Sequence, residues 1–432
     1  MTTNDELLAL RESATVRGVA TQTTVFSDKA RNAEIWDVEG NRYIDLVAGI
    51  AVTNTGHNHP VVIAAVKAQL ERFSHTCFQV TPYDVYVQLA ARLNEVAPGP
   101  TPKKSMFLTT GAEAVENAVK ISRKHTGRSG VIAFSGAFHG RTMMGMALTG
   151  KVVPYKAGFG PFPAEVFHVP FPIDYHGVTV EHSLAALDTL FKSDVEPSRI
   201  AAMIIEPVQG EGGFYPAPVE FLQQLRRICD QHGIVFIVDE IQTGFGRTGK
   251  MFAIEHADVE PDLMAVAKGL AGGFPLSGVI GKAEIMDSVA PGGLGGTFGG
   301  SPLGCAAGLA VLQVIAEEKL CARAAAIGDQ VRAWGEALQR QNNCIGHIRT
   351  TGAMCAIELV QDGDADKPDA DLTKAIAAES LNRGVVLLTC GVRGNVVRFL
   401  PPLTIGDELL DEALAVVADA ISALTDKLRK AS

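Results

Sequence analysis

The chain has 432 residues, of which 47% are hydrophobic and 20% are charged, a composition typical of a water-soluble globular protein. The formal net charge of −10 is spread without a basic cluster, which argues against nucleic acid or an anionic membrane as a partner. The N-terminus has early acids and no signal-peptide pattern, and no apolar run approaches the roughly 20 residues that a membrane span needs. We therefore expect a cytoplasmic protein.

The seven cysteines are scattered along the chain, without a CxxC pair or a Cys/His spacing suited to a metal. This pattern is typical of reduced, mostly buried thiols in a cytosolic protein. We expect no metal site.

The first 60 residues predict three small elements in chain order. Met1 to Gly18 is predicted to be a short helix or arm, and Glu34–Val38 with Tyr43–Val47 should form a hairpin around Glu39-Gly40-Asn41. Residues 49–60 form a loop rich in small residues and histidine.

From Lys104 onward the pattern alternates between apolar strands and helices such as Ala114–His125 and Pro218–His232. Alternation of this kind predicts one large, mainly parallel sheet with helices on both faces. The seven predicted strands are Met106–Thr109, Val131–Phe134, Val166–Val169, Met203–Glu206, Val235–Val238, Leu263–Ala267 and Gly278–Ile280.

The remainder predicts a long apolar helix from Ser301 to Glu317 and then a smaller α+β region. Its strands are expected near Ile348–Leu359, Val385–Thr389 and Val396–Leu400, followed by an amphipathic helix from Asp407 to Leu428 with a capping box formed by Thr404 and Asp407. We predict an arm and hairpin over residues 1–57 as part of the small domain, a large domain over 58–322, and the small domain over 323–432.

Charged residues follow two of the buried strands. Asp239 and Glu240 end the strand from Ile234 to Val238, and Lys268 follows the strand Leu263–Ala267. A buried strand cannot carry charge along its length, and ligands bind at the carboxyl edge of open α/β sheets. Asp239 and Lys268 are therefore predicted to meet over one pocket.

Other strand ends carry candidate ligand groups. Gly111 and Ala112 stand at a predicted helix N-terminus, where the partial positive charge favours a phosphate. In SGAFHGRT, Phe138 or His139 could cover a planar ring, and Arg141 could bind a carboxylate. Each motif alone is also explained by an ordinary turn with routine packing.

Three further residues lie in glycine-rich turns. Glu206 and Glu211 belong to IIEPVQGEGG, where acids are usually solvated, and Thr297 lies among glycines that let a ligand approach the backbone closely.

Lysine at a strand end, a buried acid, a phosphate cradle and an aromatic lid together match the needs of pyridoxal 5′-phosphate.

The segment GFGRTGK, residues 244–250, matches the first part of a phosphate-binding P-loop. Met251 replaces the Ser or Thr that should hold Mg²⁺, no convincing helix follows, and the strand-borne acid precedes the loop instead of following it. These departures argue against a nucleotide hydrolase.

The chain resembles the class III, ω-type aminotransferases, which have the pyridoxal phosphate fold type I. The motifs that carry the resemblance cover almost the whole chain in order: GAEAVENAVK, AFHGRT, IIEPVQGEGG, IVDEIQTGFGRTGK, AVAKGLAGGFPLSG, GGTFGGSPLGCAA and VVRFLPPL. The resemblance implies transfer of an amino group from 4-aminobutyrate to 2-oxoglutarate, giving succinate semialdehyde and glutamate.

By this resemblance, Lys268 is the Schiff-base lysine and proton shuttle, and Asp239 is the partner of the cofactor's pyridine nitrogen. Gln242 is implied near the O3′ atom, and Phe138 against the ring with His139 beside it.

The resemblance places the phosphate on Gly111 and Ala112, with Thr297 reaching it from a neighbouring subunit. The implied assembly is a homodimer with shared active sites, or a pair of such dimers.

For substrates, the resemblance implies that Arg141 holds the distal carboxylate and Arg398 the α-carboxylate of glutamate or 2-oxoglutarate. Ile50 and Glu206 are implied to line the substrate site, and Glu211 to cover Arg398 when the donor has no second carboxylate.

Several alternatives stay open at this point. Within the family they are ornithine or acetylornithine aminotransferases and broader enzymes for 5-aminovalerate or β-alanine. Outside it they are the nucleotide hydrolase and a catalytically silent protein that binds pyridoxal phosphate.

Overall fold

The structure is a computed structural model that describes residues 2–431, with side chains described through Thr425. Over this range the chain forms one seven-stranded sheet and two four-stranded sheets. The large sheet carries the candidate site, and the smaller sheets border it.

The N-terminal hairpin belongs to a sheet of order β1-β2-β3-β13, in which β13 runs parallel to β3. The predicted arm and hairpin are both present as regular elements. The elements are α1 (Asn4–Ala14), β1 (Ser27–Arg31), β2 (Glu34–Asp37), β3 (Arg42–Asp45), the four-residue turn α2 (Ala48–Ala51) and β13 (Val385–Val386).

The seven-stranded sheet has the order β4-β10-β9-β8-β7-β5-β6. Strand β10 is antiparallel to β4 and β9, and the other neighbouring pairs are parallel. The predicted α/β fold with a mainly parallel sheet is confirmed. Its strands are β4 (Lys103–Leu108), β5 (Gly130–Phe134), β6 (Val166–Val169), β7 (Ile200–Ile205), β8 (Val235–Asp239), β9 (Leu263–Val266) and β10 (Ser277–Lys282).

Helices cover both faces of this sheet, because its central strands are apolar on both sides. Phe236 and Val238 of β8 belong to one apolar core, and Val235 and Ile237 belong to another on the opposite face. The helices of this region are α3 (Pro60–Arg72), α4 (Asp84–Val96), α5 (Gly111–Thr126), α6 (Met143–Leu148), α7 (Val180–Ser193), α8 (Val219–His232), α9 (Ala283–Met286) and α10 (Pro302–Glu317).

The C-terminal part forms a third sheet of order β11-β12-β15-β14. The predicted strand Val385–Thr389 is in fact two short strands that pair in different sheets. The elements are α11 (Leu320–Gln339), β11 (Ile345–Thr351), β12 (Met354–Leu359), α12 (Ala370–Asn382), β14 (Leu388–Cys390), β15 (Val396–Phe399) and α13 (Asp407–Ala431).

The predicted capping box of the last helix is wrong. Helix α13 begins at Asp407, and the hydroxyl of Thr404 instead donates a hydrogen bond of 2.5 Å to Oδ1 of Asn32. Contact with a residue 372 positions earlier in the chain outweighs the local pattern.

The pairing of β3 with β13 favours grouping the N-terminal hairpin with the C-terminal part. The domain boundaries at residues 57 and 322 stay a prediction.

Within residues 2–431, no helix is both long and apolar enough to cross a bilayer. In the same described part of the chain, no group of three or more His, Cys, Asp or Glu residues could hold a metal ion.

Candidate active site

A cavity of about 430 Å³ opens at the carboxyl edge of the large sheet. Most of the residues that line it lie at or after the ends of strands β4, β5, β7, β8 and β9, which end at the same edge. Ten of the thirteen predicted site residues line this cavity: Gly111, Ala112, Phe138, His139, Arg141, Glu206, Glu211, Asp239, Gln242 and Lys268.

Lys268 follows β9 and begins a short 3-10 turn with a φ of 45°, in the left-handed region that non-glycine residues rarely adopt. Such backbone strain persists where the surrounding structure fixes it, often at functional sites. Burial lowers the pKa of Lys268; the charge of Glu211 opposes this shift and that of Arg398 adds to it. The neutral amine is therefore favoured more than in a free lysine.

Asp239 ends β8 and pairs with His139 in the cavity wall. Nδ1 of His139 lies 2.7 Å from Oδ2 of Asp239, and the amide of Ile241 donates to Oδ1 at 3.1 Å. Burial would lower the pKa of His139, but the hydrogen bond and charge of Asp239 outweigh it and raise the pKa. The sequence placed His139 beside a ring and missed this pair, because no local pattern connects residues 100 positions apart.

Glu206 is buried and stabilises the loop that follows β5. It accepts hydrogen bonds from the amides of Phe138 at 2.8 Å and Gly210 at 3.0 Å. Burial raises the pKa of Glu206, while His139 lowers it. The expectation that Glu206 is solvated is wrong, because its glycine-rich turn packs against the loop that follows β5.

Glu211 and Arg398 form a buried ion pair at one end of the cavity. Nη1 of Arg398 donates to Oε1 of Glu211 at 2.6 Å, and the hydroxyl of Tyr155 donates to Oε2 at 3.0 Å. Burial would raise the pKa of Glu211, but the charge and hydrogen bond of Arg398 lower it. Glu211 is therefore held as a carboxylate over Arg398.

Arg141 lies at the rim of the cavity and is exposed. Its guanidinium carbon is 4.8 Å from the centroid of the Tyr155 ring. Tyr155 was not predicted from the sequence, since it lies in a loop without a recognisable motif. The two guanidinium groups of Arg141 and Arg398 differ in that the second is covered by a carboxylate.

Helix α5 begins at Gly111, and its first-turn residues Gly111 and Ala112 line the cavity. The first amides of a helix have no intrahelical acceptor and carry partial positive charge, so they can bind an anion. A Cβ on Gly111 would lie 2.9 Å from Cδ1 of Ile241. Ile241, which also lines the cavity, was missed by the sequence analysis.

Three predicted residues lie outside the cavity lining. Ile50 is 39% exposed with a φ of 68°, and its neighbour Val52 lines the cavity instead. Arg398 contacts the cavity through Glu211. Thr297 is exposed. The roles of all three stay predictions.

The segment GFGRTGK contributes no residue to the cavity lining. The Arg247 side chain is fully buried and donates hydrogen bonds to the carbonyl oxygens of Ala353 at 3.2 Å and Pro401 at 2.6 Å, and to Asn54 Oδ1 at 2.6 Å. Through these hydrogen bonds the segment holds the large sheet against the C-terminal part of the chain.

Comparison with known proteins agrees with this geometry. The family profile described as aminotransferase class-III matches residues 16–421. The chain belongs to the class III aminotransferases. It is 53% identical over 422 residues to 5-aminovalerate aminotransferase of Pseudomonas aeruginosa, covering 98% of this chain and 99% of the relative. It is 51% identical over 418 residues to 4-aminobutyrate aminotransferase of Escherichia coli, covering 97% and 98%.

Solved structures of other aminotransferases have the same fold. An aminotransferase from Bacillus anthracis aligns with a TM-score of 0.92 and 28% identity, covering 98% of this chain and all of that one. Ornithine aminotransferase from Toxoplasma gondii aligns with a TM-score of 0.86 and 31% identity, covering 99% and 96%. The protein therefore has pyridoxal phosphate fold type I.

Pyridoxal phosphate is the cofactor of class III aminotransferases, and the cavity offers matching groups. Lys268 supplies an amine, Asp239 a carboxylate and α5 an anion site. The buried atoms Oε1 of Gln242 and Nε2 of His139 have no hydrogen-bond partner among the described residues. A polar cofactor that contacts these atoms would satisfy them.

The lowered pKa of Lys268 predicts the pH dependence of cofactor capture. Only the neutral amine is nucleophilic. Burial disfavours the cation, so the fraction of neutral Lys268 rises around a pKa below the usual lysine value of about 10.4. We expect the rate at which cofactor-free enzyme regains its chromophore to rise with pH, with its inflection below pH 10.4. Glu211→Gln, which removes a charge that raises this pKa, should shift the inflection lower; an inflection at or above pH 10.4 would contradict the prediction.

Proposed function

We propose that the protein transfers the amino group of 4-aminobutyrate to 2-oxoglutarate by a ping-pong mechanism, giving succinate semialdehyde and L-glutamate. The observation that carries this proposal is the pair of arginines, one exposed at the rim and one covered by Glu211. A donor with one carboxylate would use Arg141 and leave the Glu211–Arg398 pair intact. A substrate with two carboxylates would use both arginines.

In this proposal the cofactor contacts follow from the cavity. Asp239 would hold a proton on the ring nitrogen, the first-turn amides of α5 would bind the phosphate, and Phe138 would lie against the ring. Gln242 would contact the O3′ atom. Pyridoxal phosphate supplies an electron-accepting ring that stabilises negative charge at the adjacent substrate carbon. Lys268 Nζ would move the proton at that carbon as general acid and base.

Substrate exchange depends on Glu211. When a second carboxylate enters, it would replace Glu211 at Arg398, so that the buried guanidinium is never left unpaired. Glu206 and Ile50 would border the same substrate site. One active site can then serve both half-reactions.

A second candidate donor is 5-aminovalerate, since a relative at 53% identity carries that name. It also has a single carboxylate at the end opposite its amine, and it is one methylene longer than 4-aminobutyrate. Discrimination by one methylene amounts to about 1–3 kcal/mol. β-Alanine, ornithine and N-acetylornithine are the remaining alternatives.

A donor panel with 2-oxoglutarate tests the proposal. We expect kcat/KM to rank 4-aminobutyrate first, 5-aminovalerate within about 10- to 200-fold of it, and ornithine and N-acetylornithine well below both. Faster turnover of 5-aminovalerate would mean that 5-aminovalerate, and not 4-aminobutyrate, is the preferred donor. Preference for ornithine or its acetyl derivative would overturn the proposed use of Arg141.

We also infer that the protein is a homodimer or a pair of dimers, with Thr297 of each chain acting at the phosphate of the neighbouring subunit. The exposed position of Thr297, outside the cavity of its own chain, supports this role. Thr297→Ala should weaken cofactor retention during dialysis.

A further inference from the structure

Tyr155 touches three side chains of the candidate site and is 7% exposed. Its ring centroid lies 4.7 Å from that of Phe138, and the guanidinium carbon of Arg141 lies 4.8 Å from it. Its hydroxyl donates to Oε2 of Glu211 at 3.0 Å. Tyr155 therefore contacts Phe138, the rim residue Arg141 and the carboxylate that covers Arg398 at the same time.

We propose that Tyr155 positions Glu211 over Arg398 and thereby sets the preference between ligands with one carboxylate and ligands with two. The proposal rests on the proposed function, in which Glu211 leaves Arg398 when a second carboxylate enters.

The two oxygens of Glu211 are held from different directions. Arg398 donates to Oε1 and Tyr155 donates to Oε2, so both bonds fix the same orientation of the carboxylate. Movement of Glu211 away from Arg398 in that orientation breaks both bonds. The hydroxyl of Tyr155 therefore stabilises the covered state relative to the open one.

Tyr155 keeps its proton and remains a donor in this arrangement. Burial and the negative charge of Glu211 raise the pKa of the phenol, and the positive charges of Arg141 and Arg398 only partly oppose this. A neutral hydroxyl facing a carboxylate forms a charge-assisted hydrogen bond, which is stronger than a bond between neutral groups.

The ring of Tyr155 contacts Arg141, whereas its hydroxyl contacts Glu211. Its face lies against the guanidinium of Arg141, an arrangement that favours the cation and limits its movement. In the proposed function, ligands with one carboxylate and ligands with two both place a carboxylate on Arg141, so loss of the ring should weaken both. Loss of the hydroxyl alone should separate the two ligand classes.

Tyr155→Phe tests the hydroxyl. In the holoenzyme we expect binding of glutarate, which has two carboxylates, to tighten about 10-fold, because it must open a covered state that the substitution has weakened. Binding of butyrate, which has one carboxylate and leaves the covered state intact, should be unchanged. Isothermal titration calorimetry measures both without turnover. Single-turnover half-reactions with 4-aminobutyrate and with glutamate should show the same change in ratio. Tyr155→Leu should weaken both ligands.

Tyr43→Phe is the matched control, because the Tyr43 hydroxyl also donates to a carboxylate, Asp37 at 3.3 Å, in the N-terminal sheet. It should leave the ratio unchanged. In a Glu211→Ala background, Tyr155→Phe should have no further effect on the ratio. Thermal melting of each variant separates these effects from loss of folding.

Equal weakening of butyrate and glutarate by Tyr155→Phe, or no change in either, would overturn the proposal. So would a full effect of the substitution when Glu211 is absent. The binding experiment uses ligands that do not react, so a shifted ratio supports Tyr155 even if the donor panel rejects 4-aminobutyrate. An unshifted ratio together with rapid turnover of 4-aminobutyrate would reject Tyr155 alone.

Discussion

Lys268→Ala is expected to lower kcat by at least about 10⁴-fold in the overall transamination reaction. General acid–base catalysis alone contributes about 10²–10⁴-fold, and the same amine also acts as the nucleophile that holds the cofactor. Its position at the end of β9, its strained backbone and the pKa lowered by burial all favour this role. Steady-state turnover and the absorbance of the purified protein both measure the effect.

Two further substitutions make this test specific. Lys268→Arg keeps the positive charge but supplies no neutral amine near neutral pH, so it should be as inactive as the alanine variant. Lys250→Ala removes an exposed lysine of GFGRTGK and should leave turnover unchanged. Loss of activity in Lys250→Ala with normal activity in Lys268→Ala would contradict the role of Lys268 as the reactive amine.

The placement of Asp239 and Lys268 could be predicted from the sequence because it depends on a simple physical rule. Strands β8 and β9 are buried along their whole length, so their charged neighbours must lie where the strands end. Parallel strands end at the same edge, which brings both side chains to one cavity. The same rule accounts for the residues after β5 and β7, which are also buried at every position.

The contacts between these residues could not be predicted in the same way. The His139–Asp239 pair and the Tyr155–Glu211 bond join separate loops and leave no period or motif in the sequence. Whether an acid in a turn is solvated depends on what covers the turn. Glu206 is buried because the loop after β5 donates an amide to it.

A local motif also misleads when tertiary contacts decide its role. The glycines of GFGRTGK imitate a phosphate-binding loop, yet its arginine is directed into the protein toward backbone carbonyl oxygens of the C-terminal part. Pro401 lies three residues after Arg398, so this contact also anchors the strand that presents the covered arginine. The segment supports the site through packing and lies outside the lining of the cavity.

Glu211→Ala should impair the half-reaction of 4-aminobutyrate about 10- to 100-fold in kcat/KM and leave that of glutamate within a few-fold. A hydrogen bond to a charged group contributes about 1.5–3 kcal/mol, and without Glu211 a donor with one carboxylate leaves Arg398 buried and unpaired. Glutamate supplies its own carboxylate to Arg398 and avoids this cost. Rapid-mixing absorbance measurements of each half-reaction give the two values separately.

Glu412→Ala is the matched control for this prediction, because Glu412 also pairs with an arginine, Arg42 at 3.0 Å, but on the exposed surface. Exposed pairs contribute little to stability, so this variant should match the parent in both half-reactions. Equal losses in the two half-reactions of Glu211→Ala would mean that the carboxylate supports the cavity wall in general. A loss confined to 4-aminobutyrate would instead mean that the role of Glu211 is to stand in for the carboxylate that this donor lacks.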